Sequence, residues 1–131
     1  MSAYNQVDTV CFQFADDLIA ALKDIYQNVE FHDTPQNLYG YQGDKRSVKA
    51  EIIVRRHNIS SASNDLGFVK GPDGKYRMIV SEYDASCQVK PGEIIKRYSE
   101  NVIKNKMKGK YRILGKSVKD GKQQIKLQML R

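Results

Sequence analysis

Hydrophobic and polar positions along this chain repeat with two periods, and the switches between them divide it into strands and helices. Near the amino terminus Val7, Thr9 and Cys11 interleave with Asp8 and Val10, which predicts a strand over about residues 3–12. In DDLIAALKDIYQ the spacing changes. Leu18, Ala21, Leu22 and Ile25 recur at helical intervals, and Asp16 and Asp17 stand where the positive end of a helix dipole favours carboxylates. A helix opening earlier, capped by Asp8, would place Thr9, Val10, Cys11 and Phe12 in its first turns; these are poor helix formers, so the strand is preferred.

Val29–Phe31 reads as a short extended piece ended by Asp33, Thr34 and Pro35, and residues 38–46 as a second one. There Tyr39 and Tyr41 share a side, and Gly40 and Gly43 mark a bulge or turn. VKAEIIVRR, residues 48–56, is the clearest strand: Val48, Ala50, Ile52 and Val54 face one way, Lys49, Glu51, Ile53 and Arg55 the other. A polar loop follows over 57–64. DLGFVK and KYRMIVSEY then flank Gly71-Pro72-Asp73-Gly74, a hairpin with proline and glycine where turn geometry wants them. Pro91 and Glu93 open a second helix that runs to about Lys108, with Gly109 as its stop. Its apolar stripe is Ile94, Ile95, Tyr98 and Val102; Lys96, Arg97, Glu100, Lys104 and Lys108 lie opposite. KYRILGK and KQQIKLQML flank Asp120-Gly121, a second hairpin signal. The expected fold is a single α+β domain over 1–131, an antiparallel sheet of six to eight strands with two helices packed on one face.

Composition agrees with one globular domain. A chain of 131 residues, 40% hydrophobic and 28% charged, buries enough surface to need no disulfide or metal. No apolar run spans a membrane and no basic-then-apolar leader opens the sequence, so membrane association is not expected and the cytoplasm is the default. Cys11 and Cys87, in otherwise apolar strand-like surroundings, read as reduced structural thiols.

Charge changes the picture more. From Lys90 to Arg131 there are 13 Lys or Arg against Glu93, Glu100 and Asp120, a net of +10, whereas residues 1–89 carry a net of −3. Such asymmetry points to an anionic partner for the carboxy-terminal third. If 110–116 pairs with 122–130, Lys110, Arg112, Lys116, Lys122 and Lys126 share one sheet face, joined by Lys104 and Lys108 from the helix. Lys49, Arg55, Lys75 and Arg77 fall on a helix-free face of the earlier strands. A row of cations on an open sheet can track a phosphate backbone, while Tyr76 and Tyr111 alternate inward and so offer no base-stacking platform.

Catalytic patterns fail one by one. Cys11, Cys87, His32 and His57 show no metal-ligand spacing. No serine has a nucleophile-elbow context and neither cysteine has cations nearby to activate it. Glu82 and Asp84 share a strand face at a strand exit, where solvation explains them. GKSVKDGKQ, residues 115–123, has glycines six apart and Gln123 after Lys122, so it does not match a phosphate loop. No catalytic residue, metal or cofactor is expected.

Several segments carry a resemblance. SAYNQVDT, DDLIAALKDI, YGYQG, NDLGF, KYRMIVSEYD and KRYSENVI together cover nearly the whole chain. On them the chain resembles the family of conserved chloroplast and cyanobacterial reading frames of unknown function (plastid hypothetical reading frame thirty-five-like), with relatives in bacteria and phages. The resemblance implies the fold and marks Gly40, Tyr41, Gly43, Asp65, Gly67, Phe68, Tyr98 and Asn101 as special positions. It also implies a link to ferredoxin-type systems and hence an acidic protein partner. The 57–64 loop and the lysines after residue 104 depart from that family and place a photosynthetic or redox role in doubt.

The function expected first is therefore a non-enzymatic binding module that engages nucleic acid or an acidic protein through its basic carboxy-terminal surface. The alternatives are an accessory protein of a ferredoxin-linked system, and a small-ligand, nucleotide-type sensing or sequestering protein. The ligand pocket would be built by Tyr39, Tyr41, Tyr98 and Asn101, with Arg55 or Arg56 meeting phosphate. A homo-oligomer stays open.

Overall fold

The computed structural model describes residues 2–107 with their side chains, and the backbone of 111–119 and 122–129. β1 (Tyr4–Phe12) leads into α1 (Ala15–Tyr26), then β2 (Glu30–Tyr39) and β3 (Lys45–Val54). A short 3-10 turn at Arg56–Asn58 precedes the hairpin of β4 (Leu66–Lys70) and β5 (Tyr76–Ser81). α2 (Glu82–Ser86), α3 (Pro91–Lys106), β6 (Tyr111–Lys119) and β7 (Lys122–Met129) complete the chain. This is an α+β fold. The strands do not form one sheet of six to eight, as expected: five join in the antiparallel order β1-β5-β4-β3-β2, and β6 and β7 pair only with each other. Among the described residues there are three α-helices rather than two.

The principal core lies between the sheet and the helices. Leu18 and Leu22 of α1 and Ile94 of α3 pack with Phe12, Ile52, Val54, Phe68, Met78 and Val80. Phe12 meets the rings of Phe68 and Tyr98 edge to face, with centroids 5.5 and 4.9 Å away. Tyr98 also joins α3 to the entrance of α1, its hydroxyl accepting from the backbone N–H of Gln13 (2.9 Å) and Phe14 (3.2 Å). No side chain of α1 itself caps that end. Asn101 donates to the Asp17 carbonyl at 3.2 Å, and Lys106 pairs with Asp16 and Asp17 at 2.6 and 2.9 Å.

A second, smaller cluster of Leu38, Ala50, Ile53 and Ile79 occupies the other face of the sheet. Two expectations fail here for one reason. Asp33-Thr34-Pro35 does not end a strand; β2 runs through it, with a register break between Phe31 and Gln36. An edge strand tolerates a proline at such a bulge because no ladder hydrogen bond is lost there. Opposite that break the alternation of β3 reverses, so Ile52 and Val54 face the helices whereas Ala50 joins Ile53 on the second face. The β2–β3 ribbon thereby curls over the sheet. Gly67 permits the approach: a Cβ there would lie 2.8 Å from the Ala50 Cβ and 3.0 Å from Leu38. The helix-free face thus carries a buried apolar cluster, while Lys49 and Lys75 stay exposed.

Candidate ligand-binding site

The curl brings the turn at residues 40–44 beside the amino terminus, the loop before β4 and the start of α2. There Ser63 and Asn64, from the loop that the sequence reads as polar, and Asp65, at the start of the next segment, are all buried. Burial without a partner is costly for each of these groups, and their hydrogen bonds show how it is offset.

Asp65 pins three strands. Its carboxylate accepts from the backbone N–H of Tyr39 (2.8 Å) and Arg56 (2.7 Å) and from the Arg55 guanidinium (2.8 Å). Its carbonyl accepts from the Tyr4 hydroxyl at 2.6 Å. Arg55 in turn grips Glu30 through two nitrogens at 2.8 and 2.9 Å and donates to the Asn37 carbonyl. Those carboxylates raise the Arg55 pKa, and Arg55 followed by His32 holds the Glu30 carboxyl below its ordinary range.

Asn64 ties the turn to α2. Its side-chain oxygen accepts from the Tyr41 N–H at 3.0 Å, its amide nitrogen donates to the Ser81 hydroxyl at 2.9 Å, and its backbone N–H donates to Asp84 at 2.9 Å. Ser81 caps α2, accepting from the Asp84 N–H at 3.2 Å while donating to the Asp84 carboxylate at 2.9 Å. All three of these side chains are buried. The expectation that Glu82 and Asp84 sit solvated at a strand exit is corrected for Asp84 alone: β5 ends at Ser81, both residues lie in α2, Glu82 is exposed as expected and Asp84 turns inward. The serine-x-x-aspartate spacing of Ser81 and Asp84 is a helix-start pattern that signals this in the sequence.

Against this network lies a cavity of about 390 Å³, lined by Ser2, Tyr41, Ala62, Asn64 and Tyr83. Its size falls within the range of small-molecule sites. Tyr41 and Tyr83, which both line it, are 44% and 42% exposed. The amino-terminal segment is held in place at its rim, with Tyr83 N–H donating to the Ser2 hydroxyl at 2.9 Å and Arg46 to the Ser2 carbonyl at 2.8 Å.

Of the pocket residues expected from sequence, Tyr41 lines the cavity. Tyr39 stands over Arg55, 5.8 Å from ring centroid to guanidinium, and Arg56 reaches the Ser61 carbonyl at 3.2 Å. Tyr98 and Asn101 are elsewhere, in the α1–α3 contact described above. Arg55 is committed to Glu30 and Asp65, and Arg77, another cation of the proposed row, to Asp73 at 2.9 Å. Cys11 and Cys87 are exposed thiols rather than core residues. Ser2, Ala62, Asn64, Tyr83 and Asp84 were not singled out for a pocket by their sequence context.

Lys104 is exposed on α3. Lys108 and Lys110 lie outside the described residues, as do the side chains of Arg112, Lys116, Lys122 and Lys126. The backbone register sets Arg112 opposite Gln128, Lys116 opposite Ile125, Lys126 opposite Gly115 and Lys122 opposite Lys119, with an irregularity between Ile113 and Gly115. Among the described residues, no group of three His, Cys, Asp or Glu is placed to hold a metal ion. No helix among them is long and apolar enough to cross a membrane.

The chain belongs to a family of proteins of unknown function, DUF1257, whose model matches residues 21–127. No curated protein and no solved structure matches it. The matched span includes Tyr41, Asn64, Tyr83 and Asp84 and reaches into β7.

Proposed function

We propose that this DUF1257 protein is a non-enzymatic binding module that holds a small ligand in the cavity beside Tyr41. The observation that carries the reading is the juxtaposition of an open cavity, two half-exposed tyrosines and a buried polar network that fixes the cavity's back wall through Asn64. A back wall of hydrogen-bonded polar groups with aromatic rings at the mouth suits recognition, where orientation is set before the ligand arrives. Native mass spectrometry of protein purified gently from its own host tests it. A retained small molecule is expected, and Tyr41→Ala with Tyr83→Ala should cut its occupancy by about tenfold or more. Protein of bare mass, with the double variant indistinguishable in thermal shift against ligand-bearing extract, refutes the reading.

A second reading rests on the carboxy-terminal charge. Residues 111–129 hold five Lys or Arg against Asp120 alone, on strands that the backbone pairs into a ribbon of their own. Such a ribbon suits contact with a polyanion, nucleic acid or an acidic protein such as the ferredoxin-type partner implied by the chloroplast and cyanobacterial resemblance. Affinity for duplex DNA or heparin should fall steeply between low and physiological salt, and replacing Lys110, Arg112, Lys122 and Lys126 with Gln should abolish it.

A further inference from the structure

We infer that the cavity lined by Tyr41 and Tyr83 takes the flat ring of an uncharged aromatic molecule, and not the nucleotide-type phosphate compound that the arginines of the sequence suggest. The inference rests on the cavity being a ligand site and adds the chemical class of what it takes.

Charge is missing from the lining. None of its residues, Ser2, Tyr41, Ala62, Asn64 and Tyr83, is an Asp, Glu, Lys, Arg or His. Charged side chains that adjoin them are turned to other partners. Arg46 donates to the Ser2 carbonyl at 2.8 Å and lies 5.0 Å over the Tyr4 ring. Glu82, beside Tyr83, accepts from Asn5 at 3.4 Å. Asp84 is buried and takes its hydrogen bonds from Ser81 and Asn64. Arg55 and Arg56, expected to meet phosphate, are held by Glu30 and Asp65 and by the Ser61 carbonyl. A charged ligand entering the cavity gives up hydration and gains no counter-ion from the lining, so charge is selected against.

The polar groups of the wall are largely spent as well. The buried Asn64 accepts the Tyr41 N–H through its oxygen and donates to Ser81 through its amide nitrogen. The Ser2 hydroxyl accepts the Tyr83 N–H, and the Tyr41 hydroxyl accepts from Gln42 at 3.0 Å. What the lining has left to offer is aromatic. Phe31, Tyr39, Tyr41 and Tyr83 are the exposed large hydrophobic side chains among the described residues, and two of those four meet at this one cavity. Phenol rings engage a flat ligand ring by offset stacking or edge-to-face contact, with a gain beyond simple burial that a saturated ring does not receive. Their hydroxyls add neutral hydrogen-bonding groups. A volume of about 390 Å³ is at the lower end of the range for small-molecule pockets, which matches a ligand of one or two fused rings.

The test uses the full chain and four probes of similar size. They are 2-naphthamide, uncharged and flat; 2-naphthoate, its carboxylate counterpart; 2-naphthylmethylammonium, its cationic one; and decahydro-2-naphthamide, uncharged but not flat. The chain contains no tryptophan, so anisotropy of the naphthyl fluorescence reads binding free of indole emission, and the saturated probe is read by its displacement of 2-naphthamide. The flat amide should bind at least about tenfold more tightly than either ion and about fivefold more tightly than the saturated amide. Tyr41→Leu with Tyr83→Leu, which keeps apolar bulk at two exposed positions, should bring the flat and saturated amides to parity. Either ion binding as tightly as the flat amide overturns the uncharged assignment, and a saturated amide as tight as the flat one in the unaltered protein overturns the aromatic assignment; in both cases the cavity remains a ligand site. Binding of no probe, or flat-amide binding unchanged by the paired leucine substitutions, overturns the inference as a whole. Host ligand retained at full occupancy by the Tyr41→Ala, Tyr83→Ala protein removes the cavity itself as the site.

Discussion

Asp65→Asn isolates the group on which the site's geometry depends. The substitution keeps size and shape but turns one acceptor oxygen into an N–H₂ donor. Oδ1 of Asp65 accepts the Arg56 N–H, and Oδ2 accepts both the Tyr39 N–H and the Arg55 guanidinium. Whichever way the new amide is turned, a donor faces a donor at a distance of about 3 Å, typical of a hydrogen bond. One backbone hydrogen bond is lost, one buried N–H is left unmatched, and Arg55 loses its buried countercharge. Arg55 retains Glu30 and its side chain is 23% exposed, so the charge contribution is only part of the value for a sealed pair. The net expected cost is about 3 kcal/mol, equivalent to roughly 10 °C in Tm for a chain of this size. Urea unfolding followed by far-ultraviolet circular dichroism measures it. Glu30→Gln provides the control: its carboxylate is 38% exposed, and its loss should cost about 1 kcal/mol or less. If Asp65→Asn unfolds within about 0.5 kcal/mol of the parent, or costs less than Glu30→Gln, Asp65 does not pin these strands and the reasoning fails.

Tyr98→Phe keeps the ring against Phe12 but removes the acceptor of two N–H groups at the entrance of α1, one of them exposed. A loss of about 1 kcal/mol is expected in the same denaturation assay, with ligand binding at the Tyr41 cavity unchanged. Alkaline stability gives an independent check. Burial, reinforced by the Asp84 carboxylate, lifts the Tyr26 phenol from 10.0 to about 12. A folded-state pKa above the unfolded value means that this contribution is intact below pH 10 and is lost as pH rises towards 12. Tyr26→Phe should flatten that part of the stability curve, and ultraviolet titration of the parent should show a late phenol absent from the variant.

The two long helices, α1 and α3, were legible in the sequence because each carries its own evidence, whereas the short α2 was read as the end of a strand. Leu18 and Leu22, or Ile94 and Val102, recur at a helical period, and the observed bounds of α1 and α3 differ little from the expected ones. The β4–β5 hairpin was equally local: Gly74 holds a φ of 80°, which glycine adopts freely, as the turn residues foretold. Local period also located β3 and the last hairpin, within a few residues.

Tertiary structure decided everything that depends on strands meeting. Alternation assigns faces only while register is unbroken, and the break in β2 opposite Ala50 and Ile52 reversed the facing of β3, so that those two residues enter different clusters. Burial of Asn64 and Asp84 is likewise invisible to local pattern, because their partners are Tyr41, Ser81 and each other across 20 positions or more for the longest links. Short polar residues before a strand look solvated until another part of the chain supplies their hydrogen bonds. Counting charges says that the chain is basic; only the fold determines that Arg55 is consumed by Glu30 and Asp65.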